Sequence, residues 1–117
     1  MQNISQIAVN IPSDLDTFPI KDKRGNILIL REPIALDFAL MDELGTNEEL
    51  SSQQKIFQMA LRLAVSFNGE EGVTLVEICS LDRFGYKELM NIILGFQIDC
   101  LPDQAEGFIQ KYLSDQQ

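Results

Sequence analysis

The hydrophobic pattern of this 117-residue chain changes its period at Pro33. Before this proline, the apolar residues of segments 18–21 and 26–31 suit two short strands, and Gly25 lies between them. Glycine readily adopts the left-handed backbone conformation that a short hairpin loop requires. The pattern therefore predicts a β-hairpin over residues 17–32.

The second predicted strand is apolar on both faces. Ile27 and Ile29 share one face, and Leu28 and Leu30 share the other. An antiparallel strand with one face in water usually alternates apolar and polar residues. We therefore expect helices or another chain to pack against this strand.

Downstream of Pro33, apolar residues recur at intervals of three and four, which is typical of amphipathic helices. The predicted helices cover 34–44 with Gly45 as a C-terminal cap, from 48 or 52 to 67, from 82 or 83 to 97, and a last segment after Pro102. Asn68 and Gly69 are expected to end the long helix, and segment 73–80 is either a short helix or an extended passage. The expected fold class is α+β, mainly α, with an N-terminal β-hairpin followed by a bundle of about four to five helices over residues 34–115.

No repeat, low-complexity tract or linker divides the chain, so residues 1–117 are predicted to form a single domain, with 1–16 as a loosely ordered arm and a short strand at 7–11. The two cysteines, Cys79 and Cys100, do not make a disulfide framework, and a reducing compartment is the simplest one for them. Pairing between the two is left open, because the sequence gives no distance between them. No signal peptide or membrane span is recognisable. A cytoplasmic location is expected.

The chain carries 18 acidic and 9 basic residues, which gives a formal net charge of −9. Nucleic-acid phosphates and anionic membranes are bound by clustered Lys and Arg side chains. The charge therefore argues against nucleic acid and membrane partners. It leaves a basic protein partner, or a role in solubility.

The residues needed for common catalytic and metal sites are absent from the sequence. It contains no histidine, so neither a Ser-His-Asp triad nor a Cys-His pair can form, and it contains no glycine-rich phosphate loop. Among the carboxylates, Glu32 and Asp37 are one pair that could in principle act in general acid–base catalysis. Most such acids, however, are surface groups or charges at the start of a helix. We predict that the chain is not an enzyme and uses no cofactor or metal.

Two features are typical of a protein-binding surface. Asp42, Glu43, Glu48 and Glu49 form an acidic corner, which is either a solvated face or a docking point for a basic segment. The predicted helices carry more apolar residues than one narrow helix face can bury. These residues form either an ordinary core or, in part, a groove for a partner helix or a face for self-association. The candidate partner-binding residues are Phe57, Leu61, Ile93 and Phe96.

The order of these features resembles a known family. Residues 22–33 end in Arg31-Glu32-Pro33 and run directly into Ile34-Ala35-Leu36-Asp37, and segments 64–69, 75–78, 81–82 and 86–96 follow in order. A hairpin with this ending, followed by a helix that opens with a Leu-Asp pair, resembles the tail assembly chaperones of tailed phages and Mu-like prophages. The resemblance covers residues 20–100.

The resemblance implies a protein of the host bacterial cytoplasm that binds the tape measure protein, a long hydrophobic helical chain, and keeps it soluble while the tail tube polymerises. The resemblance implies no catalytic residues. Two other functions remain open at this point: a secretion-type chaperone or adaptor for another protein client, and a structural component of the virion. Formation of a homo-oligomer is also left open.

Overall fold

A computed structural model of the protein describes residues 11–100, with side chains up to residue 97. This part is a mixed α and β fold, and roughly half of it is helical. Its elements are β1 (Thr17–Lys21), β2 (Ile27–Arg31), α1 (Ala35–Thr46), α2 (Ser52–Leu63), β3 (Ala64–Phe67), α3 (Leu75–Cys79) and α4 (Arg83–Cys100). The strands form an antiparallel sheet in the order β1-β2-β3.

The predicted hairpin is present as two strands of this sheet. Thr17 pairs with Arg31 and Lys21 pairs with Ile27. Gly25 has a φ of 90°, the left-handed value expected for the loop. The Asp22 carboxylate closes the loop, because its Oδ1 atom accepts hydrogen bonds from the backbone N–H of Arg24 at 2.9 Å and of Asn26 at 2.8 Å.

The third strand corrects the prediction of one long helix ending at Phe67. Helix α2 ends at Leu63, and β3 then pairs with the second edge of β2, opposite β1. Strand pairing satisfies backbone groups of β2 that would otherwise lack partners. It also buries the Phe67 side chain, which is 7% exposed. Tertiary pairing has overridden a local helical pattern here.

Asn68 and Gly69 form a hairpin turn. The prediction that they end the long helix is wrong. Their φ values of 52° and 86° are the two positive values of a type I′ turn, for which Asn-Gly is a preferred sequence. Phe67 N–H donates to the Glu70 carbonyl at 2.9 Å, and Glu70 N–H donates back at 3.1 Å. The turn therefore pairs the backbone of Phe67 on the edge of β3 that does not face β2.

The observed helix boundaries agree only in part with those predicted from the sequence. Helix α1 continues through Gly45 to Thr46, so the predicted glycine cap is wrong. Helix α2 begins at Ser52, the later of the two predicted starts, because Ser51 and Gln54 form a capping box. Segment 73–80 contains the short helix α3 and is not an extended passage.

The start of α4 is joined to the hairpin loop by two aspartates. Lys23 N–H donates to Oδ2 of Asp82 at 2.8 Å, and Asp82 N–H donates to Oδ2 of Asp22 at 3.2 Å. Asp82 also accepts from the N–H groups of Phe84 and Gly85, as expected of an N-cap residue. The loop is thus held against the first turn of α4.

The hydrophobic core lies between one face of the sheet and helices α2 and α4. Phe18 of β1 and Phe96 of α4 meet edge to face, with ring centroids 5.4 Å apart. The hydrophobic core residues with 0% exposure are Ile20, Leu28, Leu30, Ala60, Leu63, Leu89 and Ile93. The bundle of about four to five helices is matched only in part. Almost all of the predicted arm strand, and the predicted helix after Pro102, lie outside the described residues.

Candidate protein-binding groove

A buried ion cluster joins the sheet to helices α1 and α2. The Asp37 side chain is 0% exposed, and Arg31 contacts both of its oxygens, Nη1 to Oδ2 at 2.7 Å and Nη2 to Oδ1 at 3.3 Å. Arg62 places its Nε atom 2.5 Å from Oδ1. Ile34 N–H donates to Oδ2 at 2.8 Å. The Asp37 carboxylate therefore connects the end of β2, the first turn of α1 and the last turn of α2.

This environment lowers the pKa of Asp37. Burial of the carboxyl group acts to raise the pKa, but the hydrogen bonds from Arg31, the Ile34 backbone and Arg62 outweigh it. Glu32, which was paired with Asp37 in the sequence reading, has a separate partner, because its Oε1 atom accepts from Asp16 N–H at 2.9 Å. The two carboxylates thus have different structural roles, and Asp37 is neither a surface group nor available to a substrate.

Next to this cluster, an open groove of about 550 Å³ runs between α1 and α2. Its walls are Leu40, Glu43, Leu44, Thr46 and Asn47 on the α1 side and Gln58, Met59 and Arg62 on the α2 side. Positions 40, 43 and 44 share one face of α1 by their spacing, and Asn47 follows the end of the helix. The apolar members of the groove are Leu40, Leu44 and Met59. Leu40 and Met59 belong to the core, at 8% and 2% exposed, so the apolar surface open to solvent is that of the half-buried Leu44. The exposed polar residues of the rim are Glu43, Thr46, Asn47 and Gln58.

Charged groups of both signs lie around the groove. Glu43 is exposed, and no described residue donates a hydrogen bond to its carboxylate. Arg62 is already bound to Asp37, and Lys55 donates to the Gly45 carbonyl at 3.1 Å. The other members of the acidic corner, Asp42, Glu48 and Glu49, are exposed as well.

The four predicted partner-binding residues do not form one surface. Ile93 is 0% and Phe96 is 9% exposed, because both belong to the core, so a partner cannot reach them in this structure. Phe57 and Leu61 are half-buried on α2, and the Phe57 ring lies 6.1 Å from that of Tyr86. The partner-binding role of these residues stays a prediction, with accessible surface only at Phe57 and Leu61.

The groove could not be predicted from the sequence. Leu40, Leu44 and Met59 had been assigned to helix stripes, and nothing in their spacing shows that two stripes leave a gap between them. Glu43 could be found, since it belongs to the acidic corner. Elsewhere, exposed apolar side chains include Val76 at 79% and Phe84, whose ring lies 3.8 Å from the Lys23 Nζ atom.

No helix within residues 11–100 combines the length and the apolar character needed to cross a membrane. The same residues contain no cluster of three or more potential metal ligands. No protein-family model, curated protein or solved structure matches the chain.

Proposed function

We propose that this protein is a non-catalytic tail assembly chaperone of a phage, located in the host bacterial cytoplasm. It binds a hydrophobic helical segment of the tape measure protein and keeps that protein soluble while the tail tube assembles. The observation that carries the binding function is the open groove between α1 and α2, in which the half-buried Leu44 is the accessible apolar side chain. The identity of the client rests on the family resemblance.

A groove of this kind suits one established mode of protein recognition. An amphipathic helix can place apolar side chains in a hydrophobic groove while its polar face remains in water. Leu44 supplies the apolar contact, and Leu40 and Met59 line the groove as core residues. The net charge of −9 favours solubility of the complex, since like-charged particles repel one another.

The segments that carry the resemblance also contain the polar side chains that link separate elements of the fold. Arg31 and Asp37 belong to the buried ion cluster, and Asp22 and Asp82 join the hairpin loop to α4. Residues with structural roles of this kind are expected to recur in proteins that share a fold. This supports the use of these segments as the basis of the proposal.

The proposal is tested by co-expressing the full chain with a tape measure protein encoded beside it and purifying the complex through a tag on the chain. The informative variant is Gln58→Trp, because Gln58 is exposed on the groove wall and a large side chain there obstructs the groove. We expect this variant to lose the tape measure protein. Asn91→Trp is the matched control, since Asn91 is exposed on α4 outside the groove and should leave capture intact.

Three results would contradict the proposal. If the unmodified chain does not capture the tape measure protein, the client is wrong. If Gln58→Trp binds like the unmodified chain while Phe57→Asp does not, the contact lies on the Phe57 and Leu61 surface and not in the groove. A chaperone should also be absent from purified virions, so its detection there by mass spectrometry would favour a structural component.

A further inference from the structure

We propose that the β1–β2 loop and the first turns of α4 form a second protein-binding surface, which takes a segment with Asp or Glu next to an apolar or aromatic side chain. This loop–helix surface consists of Lys21, Lys23, Arg24, Arg83, Phe84 and Lys87. None of these residues lines the groove between α1 and α2. The inference therefore adds a partner to the proposed function and does not depend on it.

The unpaired cations of residues 11–100 lie together on this surface. Three other basic residues are engaged elsewhere, because Arg31 and Arg62 bind Asp37 and Lys55 donates to the Gly45 carbonyl. The remaining Lys and Arg side chains are those of the loop–helix surface, and all are exposed without a hydrogen bond or ion pair to a described residue. A chain that is acidic overall thus concentrates its free positive charge in one place.

The carboxylates of the same region bind backbone groups. Asp82 accepts from Lys23 N–H at 2.8 Å, and Asp22 accepts from Asp82 N–H at 3.2 Å. Glu88 accepts from Lys21 N–H at 3.3 Å. These contacts hold the loop against α4, and they leave the neighbouring ammonium and guanidinium groups to solvent. The surface keeps a positive excess, because five cations stand against three carboxylates.

An exposed aromatic ring lies among these cations. Phe84 is 42% exposed, and no other aromatic side chain within residues 11–97 is exposed. Its ring centroid lies 3.8 Å from Lys23 Nζ and 5.8 Å from Arg83 Cζ. Aromatic and Arg side chains are the groups that most often dominate protein–protein binding. A partner side chain that covers the ring also removes water from the cations, so a carboxylate beside it gains a favourable pairing.

The spacing along α4 places the cations within reach of one bound segment. Arg83 and Lys87 are four positions apart, and Phe84 and Lys87 are three apart, so the three side chains share one side of the helix. Lys23 reaches the same ring from the loop. A segment that contacts the ring therefore brings its adjacent residues next to positive charges, which favours Asp or Glu at those positions.

The composition of the surface favours an acidic protein segment over a nucleic acid. Single-stranded nucleic acids bind through successive stacked bases and a basic track along their phosphates. Here a single ring is exposed, and Asp22, Asp82 and Glu88 lie among the cations. These carboxylates and the net charge of −9 repel a continuous row of phosphates more than a segment with one or two carboxylates. Salt at about 0.15 M screens charges beyond about 8 Å, so the local excess of cations decides the binding of a short segment.

The test uses the isotope-labelled full chain and three short fluorescent peptides. The Glu–Phe peptide carries phenylalanines flanked by glutamates, the Gln–Phe peptide replaces each Glu by Gln, and the Glu–Ser peptide replaces each Phe by Ser. We expect the Glu–Phe peptide to bind about tenfold more tightly than either of the others, measured by fluorescence anisotropy at about 0.15 M salt. In NMR spectra it should shift the backbone amides of residues 21–26 and 82–88 and leave those of the groove unchanged.

Variants with matched controls assign the binding to the loop–helix surface. Lys87→Gln should weaken binding of the Glu–Phe peptide about two- to fivefold, as expected for one exposed ion pair. Gln58→Glu makes the same change in net charge at an exposed residue of α2 and should leave the affinity unchanged. Phe84→Ser should remove the advantage of the Glu–Phe peptide over the Glu–Ser peptide. Val76→Ser is its control, since Val76 is 79% exposed on α3, outside the surface.

Several outcomes would overturn this inference. Equal binding of the three peptides, no binding of any of them, or equal effects of Lys87→Gln and Gln58→Glu would do so. Tighter binding of an oligothymidine than of the Glu–Phe peptide would assign the surface to nucleic acid instead. A Phe84→Ser variant with a lower melting temperature and unchanged peptide affinity would show that Phe84 serves stability alone. None of these results bears on the groove, which is tested separately with Gln58→Trp.

Discussion

Arg62 donates a hydrogen bond from Nε to Oδ1 of Asp37, which ties the last turn of α2 to the first turn of α1. The second guanidinium, that of Arg31, holds the same carboxylate from the end of β2. Removing one member of such a buried cluster is far more destabilising than exchanging the whole cluster for apolar residues, because the remaining charges stay buried without compensation.

Asp37→Asn is therefore expected to destabilise the fold strongly. The amide keeps the shape of the side chain but leaves Arg31 and Arg62 without their anion, and the loss in free energy of unfolding should be about 3–5 kcal/mol. Urea unfolding followed by far-UV circular dichroism measures it. Asp42→Asn is the matched control on the same helix, since Asp42 is exposed, and it should change stability by less than about 0.5 kcal/mol. Equal stability of the two variants would contradict the structural role of Asp37.

The stability of the protein should fall in acid, in part through Asp37. Its pKa in the folded protein lies below the ordinary value of 3.8, so the carboxylate stabilises the fold fully at pH values above that ordinary value. This contribution is lost as the pH falls through the pKa of the folded state. The difference in free energy of unfolding between the unmodified chain and Asp37→Asn should therefore shrink on acidification.

A series of urea titrations from neutral pH down to about pH 2 measures this convergence. The Asp22 pKa is also lowered: desolvation acts to raise it, but hydrogen bonds from Asn26, Asp82 and Arg24 prevail. The Asp37→Asn variant should therefore keep a smaller slope of the same sign. Parallel curves for the two proteins would show that Asp37 has no lowered pKa.

The ion cluster could not be predicted from the sequence, for a physical reason. Asp37 was placed correctly near a helix start, where an acidic residue is ordinary. Its burial depends on Arg62, which lies 25 positions away and reaches it only after α2 has packed beside α1. Sequence spacing contains no information about such a contact.

The strands show the same division between local and distant causes. The β1–β2 hairpin could be predicted, because Gly25 and the flanking apolar residues act within a short segment. Strand β3 could not, since its four residues continue the helical stripe of α2 and become a strand by pairing with β2. The sequence does contain one local signal for this region, because Asn68-Gly69 is a preferred type I′ turn sequence. It was interpreted as the end of the long helix.

Two glycines of α4 should respond in opposite ways to alanine. A Cβ atom on Gly85 would lie 3.1 Å from Cβ of Asp22 and 3.2 Å from Cβ of Leu81, whereas one on Gly95 would meet nothing within 4 Å. Gly85→Ala should lower the free energy of unfolding by about 1 kcal/mol, because the hairpin loop must move away. Gly95→Ala should raise it by up to about 1 kcal/mol through helix propensity. Stabilisation by both substitutions would contradict the close approach at Gly85.

Asn68 should show separable contributions from its backbone and its side chain. Its φ is 52°, and its Oδ1 atom accepts from Ile27 N–H at 2.8 Å. Asn68→Gly keeps the conformation and loses the hydrogen bond, whereas Asn68→Ala loses the hydrogen bond and strains the turn. We expect the alanine variant to be less stable than the glycine variant by about 1 kcal/mol in thermal or urea unfolding. The reverse order would mean that the turn adopts a different conformation.

The position of β3 has a consequence for how the chain reaches its folded state. Strands β1 and β2 can meet as soon as their loop closes, but residues 32–63 separate β2 from β3. Closing that longer loop costs more conformational entropy, so β3 should join the sheet after the hairpin has formed and α1 and α2 have begun to pack. The groove lies in the same intervening segment. Its two walls should therefore come together at about the stage at which the sheet gains its third strand.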